Sequence, residues 1–168
     1  MSEVEWLPAY SGQTTDQLMS LRGQYRTDSI VAAFEAALDR KADRLGDWRK
    51  LSPEERVVLM VEALEREVNN GGYSQFFLNA SHFVPGILSA LHQVGCAEVA
   101  RLTEQAIHIL GVEVGSSEAI VSDAAAGLDG DAEEALNNCD ASYYRVAGDL
   151  AGPLLDFINR HSDRIVLP

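Results

Sequence analysis

The chain has 168 residues, a length typical of one domain. Hydrophobic residues make up 46% of it and charged residues 23%, which is the composition of a folded protein and excludes intrinsic disorder. Its 26 acidic residues outnumber 13 Lys and Arg residues, and the resulting net charge of −13 argues against direct binding to nucleic acid or to an anionic membrane.

The N-terminus and the cysteines indicate the compartment. The first residues are acidic where a secretory signal peptide would be basic, and no apolar run approaches the roughly 20 residues of a membrane span. Cys96 and Cys139 have neither the spacing of a metal site nor the number expected of a disulfide framework. These features predict a soluble, cytoplasmic protein.

Residues 1–26 are predicted to form a less regular N-terminal lead-in, because Pro8, Gly12 and Gly23 interrupt any hydrophobic period. Apolar side chains can still anchor this segment; the candidates are Trp6, Leu7 and Tyr10. Residues 27–168 are predicted to form one compact all-α domain of about seven helices. Its expected core includes Phe34, Leu38, Val61, Leu64, Phe76, Phe77, Leu91, Leu102 and Phe157.

The first two predicted helices have the clearest ends. One starts with Asp28 or Ser29 as its N-cap and stops at Gly46. Residues 52–55 then supply a hydroxyl at the N-cap, proline at the first helical position and a carboxylate at the third, which is a capping box. The glycine pair within residues 69–72 ends this second helix.

Shorter helices follow in the rest of the chain. Ser74 is predicted to cap a short helix, Pro85 opens the next one, and Gly95 and Gly111 end two helices that suggest an αα-hairpin. The predicted N-caps of the next two helices are Ser116 or Ser117 and Asp131, and a last helix follows Asp149 with Leu150, Leu154, Phe157 and Ile158 at helical spacing. No run of period-two alternation indicates a strand.

Motifs of metal, cofactor and catalytic sites are missing from the sequence. It has no nucleotide-binding loop, zinc-protease motif or nucleophile elbow. Glu104 and His108 share a helix face without a second ligand pair. Four acids fit part of a calcium-loop count, Asp129, Asp131, Glu133 and Asp140. The sixth place of that loop needs glycine but holds Glu134, so we expect no bound metal. Because the catalytic and cofactor motifs are also missing, we expect no cofactor and no enzymatic activity.

Acidic residues are concentrated late in the chain. Residues 1–112 carry a net charge of −5 and residues 113–168 one of −8, and no Lys or Arg lies between Arg101 and Arg145. Such a stretch forms either a solvated face that keeps the protein soluble or a surface for a cationic protein. The candidate partner-binding residues are Glu118, Asp123, Asp129, Asp131, Glu133, Glu134 and Asp140.

Residues 69–79, with the sequence NNGGYSQFFLN, form the densest motif of the chain. They are predicted to contain a helix stop, a turn and a helix start, in which Tyr73, Phe76 and Phe77 are better explained as core than as a ligand box. A cleft lined by Asn and Gln beside Tyr73 is the alternative interpretation, and it would suit an enzyme.

The 69–79 motif resembles that of the bacterial DNA-mimic protein family, and the resemblance extends over residues 28–162. It implies an all-α fold. For the described member of that family it further implies a homodimer whose carboxylates imitate DNA phosphates and occupy the DNA-binding surface of a transcription factor.

The functional hypothesis is therefore a non-enzymatic, acidic protein that binds a basic DNA-binding protein. One alternative is an immunity or inhibitor protein that neutralises a basic toxin or nuclease. The other, less favoured, is the enzyme with a polar cleft near Tyr73.

Overall fold

The structure, a computed structural model, describes residues 4–168 and confirms the predicted all-α class. Within that range it contains eight α-helices, two short 3-10 helices and no β-strand. The α-helices are α1 (Thr15–Met19), α2 (Thr27–Leu45), α3 (Pro53–Asn79), α4 (Val84–Val94), α5 (Ala97–Leu110), α6 (Glu118–Ala126), α7 (Gly130–Val146) and α8 (Ala151–Arg160). The 3-10 helices are Trp48–Lys50 and Ser81–Phe83. In the described part of the chain, no helix is both long and apolar enough to cross a bilayer.

The capping box predicted at the start of α3 is confirmed. The Ser52 amide donates to Glu55 Oε2 at 3.0 Å, and the Glu55 amide donates to Ser52 Oγ at 3.1 Å. The predicted N-cap of α2 is wrong, because Arg26 occupies that position without a side-chain bond. Ser29 Oγ instead accepts the Leu7 amide at 3.0 Å, so a distant segment takes the hydroxyl that a local pattern assigned to the cap.

Two further caps differ from the prediction. The N-cap of α7 is Asp129, whose carboxylate accepts the Ala132 amide at 2.8 Å, and Asp131 lies inside the first turn. Ser74 does not cap a helix either, since the second half of α3 begins at Tyr73. Helix ends that depend on glycine agree better with the prediction. Gly46, Gly95 and Gly111 all adopt the left-handed conformation directly after α2, α4 and α5.

Contacts within the chain form two compact units. The first comprises the described residues up to Glu62 together with Ala151–Pro168. Helix α2 packs against α1 and α8 in this unit. The lead-in contains α1; Leu7 and Tyr10 are buried, whereas Trp6 is exposed. The Tyr10 hydroxyl donates to the Pro168 carbonyl at 3.1 Å, which ties the lead-in to the C-terminal residues.

The second unit is Ala63–Leu150 and contains the rest of α3 with α4–α7. Helices α4 and α5 pack together, as expected for an αα-hairpin, and α5 also contacts α6 and α7. Every predicted core residue is buried in its own unit: Phe34, Leu38, Val61 and Phe157 in the first, and Leu64, Phe76, Phe77, Leu91 and Leu102 in the second.

Candidate functional site

Helix α3 is interrupted inside the 69–79 motif by two glycines. Gly71 and Gly72 have non-helical backbone angles, and Gly72 has φ +78° and ψ −177°, a region that is essentially restricted to glycine. A Cβ at Gly72 would also lie 2.2 Å from Asp140 Oδ2. The backbone angles therefore favour glycine at this position, and the absence of a Cβ leaves room for the Asp140 carboxylate.

The interruption leaves backbone groups that α7 satisfies. The Tyr73 amide donates to Asp140 Oδ1 at 2.8 Å, and the Tyr144 hydroxyl donates to the Val68 carbonyl at 2.9 Å. The Tyr143 hydroxyl donates to the carboxylate of Glu65. These three contacts join one turn of α7 to the residues on both sides of the interruption.

Two of the four amide side chains of the motif bond to Glu67, which is only 8% exposed. Its Oε2 accepts Gln75 Nε2 at 2.8 Å and Asn79 Nδ2 at 2.9 Å, while Arg66 contacts Oε1 at 3.3 Å. Burial by itself would raise the pKa of the Glu67 carboxyl, but the hydrogen bonds from Gln75 and Asn79 and the Arg66 charge outweigh burial and lower it. The ionised Glu67 carboxylate therefore holds the side chains of Gln75 and Asn79 by hydrogen bonds inside the protein.

The aromatic residues of the motif are core, as predicted. Tyr73, Phe76 and Phe77 have no exposed surface. The Tyr73 hydroxyl bonds to Thr103 Oγ1 at 2.9 Å, its ring meets that of Tyr143 edge-on at 5.8 Å, and burial raises the pKa of Tyr73. Tyr73 is thus buried, and Gln75 and Asn79 bond to Glu67, so these three side chains do not line a polar cleft.

Six of the seven candidate partner-binding residues are exposed: Glu118, Asp123, Asp129, Asp131, Glu133 and Glu134, called here the acidic set. Asp123 lies near the end of α6, and a connection of three residues leads to α7, whose cap and first two turns carry four members. The seventh candidate, Asp140, is half-buried and bonded to the Tyr73 amide. Burial raises the pKa of Asp140 in spite of that bond.

No residue within 4–168 neutralises the acidic set by an ion pair, and only Asp129 of the set accepts a side-chain hydrogen bond there, as the helix cap. Carboxylates near a helix N-terminus are stabilised by the positive end of the helix dipole, so α7 tolerates this cluster. The wider unit is strongly charged as well. Residues 63–150 contain 13 acidic and three basic residues, a net charge of −10, whereas the rest of the chain has 13 acidic and 10 basic residues, a net charge of −3.

The structure also locates the weak metal candidates. Glu104 and His108 are exposed on α5. The four calcium-loop positions lie at the cap of α7 and along its helical turns, so they do not form a loop that wraps around an ion. Across residues 4–168, no three His, Cys, Asp or Glu side chains form a group suited to a metal ion.

The fold and these contacts define an all-α protein with a glycine-interrupted helix and an acidic set that is free of ion pairs in the described residues. The profile of the DMP19-like protein family matches residues 49–161, about two thirds of the chain, and the chain belongs to this family. The match includes the 69–79 motif and the acidic set, and it begins later than the resemblance noted from residue 28. No curated protein and no solved structure matches the chain.

Proposed function

We propose that this protein is a non-enzymatic, acidic protein-binding protein and that it acts as a DNA mimic on the DNA-binding surface of a basic protein. The observation that carries the proposal is the acidic set, which is exposed on α6 and α7 in a unit with a net charge of −10. Membership of the DMP19-like family supports it, since the motif that resembles the DNA-mimic family lies within the matched residues.

The spacing of the carboxylates is compatible with imitation of a phosphate backbone. One strand of B-DNA carries a phosphate about every 3.4 Å along the helix axis. Side chains three or four residues apart on an α-helix are about 5–6 Å apart. Asp131 and Glu134 are three residues apart within α7 and so have this separation, and Asp129 adds a further carboxylate at the cap. A basic groove that binds phosphates would therefore meet charges a few ångströms apart, at intervals somewhat wider than the axial spacing of phosphates.

Charge also sets how such a complex forms. A strongly negative unit accelerates the encounter with a positively charged partner, and this steering weakens as salt screens the charges. A basic DNA-binding protein is the class of partner that fits, because its binding surface is already built for a row of negative charges. The family resemblance leads us to propose a homodimer as well, to be checked by analytical ultracentrifugation.

The experiment that tests this function is affinity capture from the native host with the immobilised protein. The decisive variant, D131N/E133Q/E134Q, removes three charges of the acidic set and keeps the cap residue Asp129. A matched control, E5Q/D43N/D163N, removes three exposed charges from the first unit. A basic protein that is retained by the wild type and the control but lost by the decisive variant is expected; equal retention by all three chains would reject the acidic set as the binding surface.

Competition with DNA identifies the kind of partner. If the protein is a mimic, duplex DNA displaces the captured partner, because both ligands occupy one surface. A partner that is retained in excess DNA would instead favour an immunity or inhibitor protein that neutralises a basic toxin or nuclease.

A further inference from the structure

Two backbone groups at the interruption of α3 need partners from outside the helix. A helix that stops leaves its last carbonyls unpaired, and one that starts leaves its first amides unpaired. At Gly71 and Gly72 one helical segment stops and the next starts. The Val68 carbonyl belongs to the end of the first segment, and the Tyr73 amide to the start of the second. Buried backbone groups of this kind destabilise a fold unless another segment supplies a hydrogen bond.

Helix α7 supplies both partners from one face. Asp140 accepts the Tyr73 amide and Tyr144 donates to the Val68 carbonyl, at 2.8 and 2.9 Å. Residues four apart lie one above the other on a helix, so a single register of α7 satisfies the two groups together. A shift of α7 by one residue would break both bonds.

Gly72 makes this approach sterically feasible. The two oxygens of Asp140 would lie 2.2 and 3.0 Å from a Cβ at position 72, so a side chain there would displace the Asp140 carboxylate. Helix α5 also packs against α7, and Leu136, Cys139 and Tyr143 of α7 are buried. Helix α7 is thus held in its C-terminal half, while its N-terminal half presents four members of the acidic set.

We infer that Asp140 and Tyr144 are positioning residues that lock α7 onto the interrupted helix α3, and that the 69–79 motif serves to hold the acidic helix in one register and orientation. The lock is a property of the second unit alone. Its use in presenting carboxylates to a basic partner rests on the function proposed above. In this inference the glycine pair of the motif serves the packing of α7 on α3 and not contact with a ligand.

Hydrogen exchange of the full chain, followed by mass spectrometry, tests the lock. D140A removes the acceptor for the Tyr73 amide, and Y144F removes one hydroxyl from a side chain that is 53% exposed, so the second variant keeps the core and the charge. We expect each to speed exchange about tenfold in segments 68–76 and 136–146, the effect of losing one hydrogen bond to a local opening. D140N should restore slow exchange, because the Asn side chain keeps an acceptor oxygen.

Helix α2 in the first unit is the internal reference. Unchanged exchange in both segments for D140A and Y144F would overturn the lock, and so would an equal rise in α2, since the bonds would then serve overall stability only. Failure of D140N to restore protection would also contradict it.

A flexible polycation separates this proposal from the proposed function. Poly-lysine senses charge without requiring a fixed orientation, so Y144F should bind it at low salt as the wild type does. D131N/E133Q/E134Q should bind it several-fold more weakly than E5Q/D43N/D163N. Equal binding by those two triple variants would count against the proposed function and leave the lock standing, whereas a negative exchange result would remove the lock alone.

Discussion

Replacing Gly72 by Ala measures how closely α7 approaches α3. The backbone angles of Gly72 lie in a region that costs a residue with a Cβ about 1–3 kcal/mol. The new Cβ would lie 2.2 Å from Asp140 Oδ2, so the carboxylate must move and the bond to the Tyr73 amide is lost. Leaving that amide unpaired costs about another 1–3 kcal/mol. We therefore expect G72A to lower the free energy of unfolding by about 2–6 kcal/mol.

Gly95→Ala is the matched control for this measurement. Gly95 has φ +86° after α4, yet nothing lies within 4 Å of a Cβ built there. The control thus adds a left-handed Ala without a clash, at a cost of about 1–2 kcal/mol. Urea denaturation monitored by circular dichroism gives both values by linear extrapolation.

A double-mutant cycle isolates the contribution of Asp140. In a D140A background the clash and the hydrogen bond are already absent, so G72A should then cost about 1–3 kcal/mol less than it does in the wild type. Strictly additive effects, or a cost for G72A no larger than for G95A, would refute the close contact between Gly72 and Asp140.

Three further predictions concern the core, the buried carboxylate and the acidic set. F77A should lower the free energy of unfolding by about 3–5 kcal/mol in the same denaturation assay, because Phe77 is fully buried; a loss below about 1 kcal/mol would contradict its place in the core. The pKa of Glu67 is lowered on folding, so its ionised form stabilises the protein above the ordinary pKa of 4.5, and this contribution is lost as pH falls through the lower folded value. The stability difference between the wild type and E67Q should accordingly shrink below pH 4.5, and a difference that stays constant on acidification would show that the charge is not involved. Association with a captured basic partner, measured by stopped flow, should slow steeply between about 0.01 and 0.15 M salt, because the Debye length falls from about 30 to 8 Å; a salt-independent rate would exclude electrostatic steering.

Local features of the fold could be predicted because their causes lie within a few residues. Ser52 and Glu55 form their capping box from neighbouring positions, and Gly46 ends α2 through its own backbone angles. The helical spacing of apolar residues likewise identified buried residues such as Phe34 and Phe157. These interactions depend on helical geometry alone.

Two of the wrong predictions concern sites where a distant segment competes with a local one. Ser29 has the chemistry of an N-cap, but its hydroxyl accepts the amide of Leu7, 22 residues away. With Ser74 as its cap the helix would start at Gln75, yet it starts two residues earlier, at Tyr73. The carboxylate that accepts the Tyr73 amide comes from 67 residues further along the chain. Local pattern cannot rank these alternatives, because the energy of each depends on which groups tertiary packing brings within bonding distance.

The acidic set and Asp140 also separate what residue types predict from what depends on distant contacts. The sign and the concentration of charge follow directly from the residue types, since no Lys or Arg lies between Arg101 and Arg145. The half-burial of Asp140 against Gly72, beside exposed acidic neighbours on α7, comes from tertiary packing and cannot be read from residue types. Tyr144 could not be singled out either, because its hydroxyl bonds to a carbonyl 76 residues away. Charge adds up along a chain, whereas burial and hydrogen bonding depend on the neighbours that folding brings together.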